Sequence, residues 1–63
     1  MFQVRDRVCL KKDAGGFGAG CEGEVVVVVG DDIVVHIDKD EEGNDVTPFP
    51  LPPLAADEYF RPC

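Results

Sequence analysis

No serine occurs anywhere in the 63 residues, histidine occurs once, and the three cysteines form no C-x-x-C pair. The first absence excludes a serine nucleophile. The others leave no recognisable zinc pattern, since no Cys or Asp falls at a metal-ligand spacing from His36. No metal and no cofactor are therefore expected. Apolar runs are short, so no segment is long enough to span a membrane. Met1 is followed directly by Phe2-Gln3-Val4-Arg5-Asp6-Arg7, with no apolar leader. These features predict a cytoplasmic chain with reduced thiols. Cys9, Cys21 and Cys63 are odd in number and cannot all pair within one chain, so each is read as a small packing or surface residue.

Cations are also scarce: 6 basic residues face 13 acidic ones, for a net charge of −7. A nucleic-acid binder must displace phosphate counterions with cations, so this balance disfavours one. It disfavours an anionic membrane surface for the same reason. Four of the six basic residues, Arg5, Arg7, Lys11 and Lys12, cluster near the start. The length allows one domain, residues 1–63, and a small core. Chains of this size commonly need a disulfide, a metal or a partner subunit, and with the first two disfavoured the partner remains.

Alternation of period two dominates the chain. Phe2, Val4, Val8 and Leu10 lie on one parity and Gln3, Arg5, Arg7, Cys9 and Lys11 on the other, which predicts a half-buried strand. Asp6 breaks the apolar parity and calls for a turn or bulge. Gly15, Gly16, Gly18 and Gly20 make the next segment a loop, with Phe17 folding back as its anchor. The β-branched segments Gly23–Val29 and Ile33–Asp38, split by Gly30-Asp31-Asp32, predict a hairpin. A three-residue turn would pair Val29 with Ile33. Val25, Val27, Val29, Ile33, Val35 and Ile37 would then face the core, and Val26, Val28, Val34 and His36 the outside. A two-residue turn would swap part of this assignment. Residues 39–45 read as a charged loop, and Val46–Pro50 as a poor, proline-limited edge strand. Leu51–Asp57 reads as a connection with one 3-10 turn, and Glu58–Arg61 as a final strand.

Several sharper motifs have plainer explanations. Gly18-Ala19-Gly20-Cys21-Glu22-Gly23 matches G-x-G-x-x-G, but a valine strand follows where a dinucleotide site needs a helix. Asp38–Gly43 resembles the start of a calcium loop, but the twelfth position is Phe49 instead of glutamate, so a solvated acidic loop is the better reading. Pro50-Leu51-Pro52-Pro53-Leu54 fits a polyproline ligand and equally a rigid crossover. A Cys–His pair would need Cys9 or Cys21 to approach His36.

Three segments carry a family resemblance. Val4-Arg5-Asp6-Arg7-Val8 resembles a Val-Gly-Asp-Arg-Val opening, with Arg5 where glycine is usual. Gly20-Cys21-Glu22-Gly23-Glu24-Val25-Val26 resembles a Gly-x-x-Gly-x-Val-Val second strand, and Leu54–Phe60 a closing turn and strand. Together they resemble the small bacterial SH3-like proteins, close in pattern to KOW-type domains, some of them from mobile gene cassettes. The resemblance implies an all-β, five-stranded SH3-like barrel with a 3-10 turn before the last strand. It implies no single function, because the group includes ribosome-associated modules, electron-transfer accessory subunits and a plasmid-borne reductase.

The expected function is a non-enzymatic interaction module. Its interface would be the outer hairpin face, Val26, Val28, Val34 and His36, and its partner a second copy or another protein. Phe17 and Gly18 are a secondary candidate for ligand contact. One alternative is a small oligomeric enzyme resembling the plasmid-borne dihydrofolate reductase barrels. Their Val-Gln-Ile-Tyr signature is here only Val35-His36-Ile37-Asp38, and their cationic pore fits poorly with a charge of −7. Another is a KOW-type nucleic-acid or ribosome contact carried by the N-terminal basic cluster.

Overall fold

The β-branched run folds as the long hairpin that organises everything else. In the computed structural model, which describes residues 1–63, its two arms are β2 (Glu22–Val29) and β3 (Asp32–Lys39). Before them lies β1 (Arg7–Leu10). After them come β4 (Asp45–Pro50), the two-residue β5 (Leu54–Ala55), one helical turn α1 (Ala56–Tyr59), and β6 (Phe60–Pro62). Every pairing is antiparallel. The strand order is β4-β3-β2-β1-β6, with β5 added to the far end of β3. The molecule is all-β and barrel-like, and the ring stays open between β4 and β6. The turn before the last strand is α-helical instead of 3-10: the Phe60 N–H donates to the Ala56 carbonyl four residues back.

The hairpin turn has two residues, Gly30 and Asp31, with Val29 opposite Asp32. Gly30 takes a φ of 60°, which its missing Cβ allows. This corrects the three-residue turn expected from the sequence. A second irregularity follows: Val25 faces Val35 but Val27 faces Val34, leaving Val26 as an extra residue in a β-bulge. The bulge reverses parity along β2. Up to Val25 the odd residues point inward, and beyond it Val28 shares the inner face with Ile33. Val27 and Val29, expected in the core, are 44% and 60% exposed.

Nine side chains form the core: Val8, Leu10, Cys21, Val25, Ile33, Val35, Ile37, Leu51 and Phe60. No polar or charged residue is buried with them. Gly23 lets the sheet curl around this core. A Cβ built there would lie 2.4 Å from the His36 carbonyl oxygen and 2.7 Å from Val35 Cγ1. Pro48 and Pro50 limit β4, as expected of an edge strand.

The break at Asp6 is a turn. Asp6 N–H donates to the Gln3 carbonyl at 3.0 Å, and Gln3 N–H donates to Asp6 Oδ2 at 2.8 Å. Arg5 and Asp6 then bracket Val25: Arg5 N–H donates to its carbonyl at 2.7 Å, and the Val25 N–H donates to the Asp6 carbonyl at 3.0 Å. Arg5 pays no part in the core, yet holds a φ of 79°, the left-handed region that disfavours side chains.

Arg5→Gly should relieve that backbone strain at the cost of some unfolded-chain entropy, leaving a net gain of about 0.5–1 kcal/mol. Gly23→Ala should lose about 1–3 kcal/mol through overpacking. Urea unfolding midpoints of the two variants should move in opposite directions.

Candidate functional site

Two regions concentrate unusual surface: the valine end of the hairpin and the face where the termini meet. At the hairpin, β2 outruns its neighbour. β1 pairs only with Glu22–Glu24, and the Arg5 and Asp6 bonds end at Val25. The closing pair of a two-residue hairpin, here Val29 and Asp32, exchanges its hydrogen bonds within the hairpin. Alternation then turns the backbone groups of Val28 toward the side that β1 has left. Beyond Val25, no strand pairs with that side of β2.

The four residues expected to form the interface divide between two faces. Val26, Val34 and His36 are half-buried on the outer side, His36 opposite Glu24 and Pro50. Val28 belongs to the inner side, where it lines a cavity of about 160 Å³ with Phe2, Ile33, Asp31, Ala56 and Asp57. It remains 37% exposed at the open end of the barrel. Val27 and Val29 take the outward places assigned to it from the sequence. The missed signal was the bulge, which a run of five identical residues cannot reveal.

The glycine loop contains a hydrogen-bonded turn. Gly15 and Gly16, at φ 58° and 87°, close a tight turn in which Ala14 and Phe17 exchange two backbone hydrogen bonds of 2.9 Å. Phe17 is half-buried and packs against the core. Its ring lies 5.6 Å from that of Phe49, tilted by 56°. Gly18 faces the Glu41 carboxylate, which would lie 2.6 Å from an added Cβ. The acidic loop satisfies itself: Asp40 Oδ1 accepts the N–H groups of Glu42 and Asn44, both at 2.9 Å. Those bonds hold the Asp40 carboxyl below its ordinary range.

The basic cluster is tied down by acids. Arg7 Nη1 and Nη2 donate to the two oxygens of Asp38 at 2.8 and 2.7 Å, while Nε donates to Glu22 at 2.8 Å. One guanidinium thus clasps β1, β2 and β3 across the outer face. The pairing holds the Asp38 carboxyl below its usual range. Lys12 bridges Glu58 at 2.6 Å and sits 4.4 Å from the Tyr59 ring centroid. Lys11 donates to the Asp57 carbonyl. Arg5 alone of the four has no such acceptor.

The reduced-thiol expectation is corrected in part. Cys9 and Cys63 form a disulfide with a Cα–Cα distance of 5.3 Å, while Cys21 is free and buried. The β1–β6 ladder, with Val8 opposite Pro62 and Cys9 opposite Arg61, carries the chain end to Cys9. An odd cysteine count excludes complete pairing and leaves this single bridge open. Burial pushes the Cys21 thiol above its ordinary value, which lowers its thiolate fraction.

No helix is long and apolar enough to cross a membrane. Compared with known protein families, curated proteins and solved structures, the chain shows no significant match.

Closing a loop of 54-residue separation removes much unfolded-chain entropy. Cys63→Ser should therefore cost about 4 kcal/mol on the chain-entropy model, read from urea unfolding without reductant. The Asp38 pairing gives a pH signature. A carboxylate with a depressed folded pKa adds stability above its unfolded value, about 3.9, and loses that contribution as pH falls through the folded value. Arg7→Gln should thus be less stable than the parent at pH 7, and unfolding series should show the difference shrinking steadily below about pH 4.

Proposed function

We propose that the chain is a non-enzymatic interaction module of the SH3-like kind that self-associates through the valine end of its central hairpin. The observation that carries this reading is the unguarded overhang of β2. Val26–Val29 contains no proline and no charge, and Val27 and Val29 present apolar side chains to solvent beside an unpaired strand edge. Natural sheets blunt such edges, because an open strand is a template for another chain. The other two edges are blunted here: β4 by Pro48 and Pro50, β6 by its three-residue length and the disulfide at its end.

A second copy suits this edge because a valine strand is complementary to itself. Two overhangs meeting antiparallel about a twofold axis would pair backbone with backbone and valine with valine. A small core gives such an association a stabilising role as well. The interface is thereby centred on Val27 and Val29, with Val26 and Val34 beside them. We propose a cytoplasmic location, in which the Cys9–Cys63 bridge would be open to reduction.

The alternatives draw less support. A nucleic-acid contact would need free cations, and three of the four clustered ones already hold acidic or carbonyl partners. A reductase-like pore would use the Val35–Asp38 segment, where Asp38 is engaged by Arg7 and the Val35 and Ile37 side chains are fully buried.

Light scattering coupled to size exclusion should give a dimer mass that falls to the monomer value on dilution. Val29→Glu should shift the dissociation midpoint upward by at least about tenfold in concentration, the equivalent of 1.4 kcal/mol. A monomer at every concentration would refute self-association.

A further inference from the structure

The sulfur atoms of Cys9 and Cys63 lie beside the carboxylate of Glu22, the donor atoms all falling within 4.8 Å of one another. These residues come from β1, from the end of β6 and from the start of β2, so the sheet itself assembles the cluster. We propose that the Cys9–Cys63 pair, once reduced, forms with Glu22 a binding site for one thiophilic divalent cation of the zinc class.

The donor set fits such an ion. Zinc is a borderline ion that takes soft thiolates and a hard carboxylate in one tetrahedral site, with solvent water as a fourth ligand. A tetrahedral ion with metal–sulfur bonds of about 2.3 Å holds its two sulfurs about 3.8 Å apart. Separating the disulfide sulfurs to that distance is a small movement for Cys63, which lies exposed just beyond β6. Cys9 is nearly buried and would be the fixed ligand. The carboxylate is already oriented: Glu22 Oε2 accepts from Arg7 Nε at 2.8 Å and forms an ion pair with Nη2 at 2.8 Å. That leaves Oε1 available to the ion, an arrangement in which an outer cation fixes a ligating carboxylate. Two thiolates, one carboxylate and one divalent cation sum to a single negative charge, which Arg7 offsets.

The chemistry balances with an external thiol or dithiol as reductant. Its thiolate attacks one sulfur of the disulfide, and exchange leaves two protein thiols and an oxidised reductant. Binding of the cation then releases the two thiol protons to solvent as two metal–sulfur bonds form. Oxidation reverses the process and expels the ion. The chain end is held to β1 in both states, by a covalent bond in one and by a shared cation in the other.

The test is anaerobic titration of the reduced, desalted full chain with cobalt(II) as a spectroscopic stand-in for zinc. The expected result is one ion bound per chain, with thiolate-to-cobalt charge-transfer absorption, and displacement by one equivalent of zinc. The disulfide form should bind neither ion. Cys63→Ser should abolish the charge-transfer band, and Glu22→Gln, which keeps the Arg7–Asp38 pair, should weaken zinc binding at least about tenfold in a chelator competition. Cys21→Ala should change nothing. If reduction alone unfolds the chain, recovery of its native circular dichroism on adding zinc supports the site, and failure to recover overturns it. Absence of the thiolate band in a folded reduced chain, or an unaltered affinity in Glu22→Gln, would also overturn the proposal.

Discussion

The extra residue at Val26 is the constraint on which the surface of this protein depends. Strand side chains alternate strictly, so one inserted residue changes the face of every residue beyond it. Before the bulge, Gly23 and Val25 point into the barrel, where glycine lets the backbones of β2 and β3 close up. After it, Val28 points inward toward Ile33 while Val27 and Val29 turn outward. Without the bulge, a two-residue turn would set Val25, and not Val28, against the wrong face of β3. The bulge reconciles the tight Gly30-Asp31 turn with a core built on Val25, Val35 and Ile37, and the outward valines are its consequence.

Charge performs a different task on the same sheet. The core contains no buried polar group, so it supplies little that is directional. Arg7 supplies direction on the outside, joining three strands through Asp38 and Glu22. A bidentate guanidinium fixes orientation where an exposed lysine pair would not. The same arginine steadies the carboxylate beside the sulfur pair, so the register of β1, β2 and β3 and the geometry around Cys9 are coupled. The acidic excess therefore has structural uses at particular positions, while the remaining carboxylates lie exposed.

How much of this was legible in the sequence varies by physical cause. The all-β architecture, the central hairpin, the turn at Asp6 and the anchoring of Phe17 follow from alternation, β-branching and glycine placement, and all are present. The left-handed φ of Arg5 also suits a position read as glycine in the resembling opening motif. What escaped depended on identity of residues or on distance in sequence. Five consecutive valines look the same in every register, so neither the bulge nor the fate of Val27, Val28 and Val29 could be read from them. The Cys9–Cys63 bridge joins positions 54 apart, and only the β1–β6 ladder brings them together. The Cys9, Glu22 and Cys63 cluster was invisible for the same reason, since its ligands have no local spacing.

If the β2 overhang is an edge that a second strand completes, amide exchange along that edge will report the pairing. Residue-resolved hydrogen exchange across a concentration series should show protection of Val28, whose amide faces the open side, rising as the chain associates. Amides in the β2–β3 ladder should stay constant. Fast exchange at Val28 that is independent of concentration, in a sample shown to associate, would place the contact elsewhere and contradict the account.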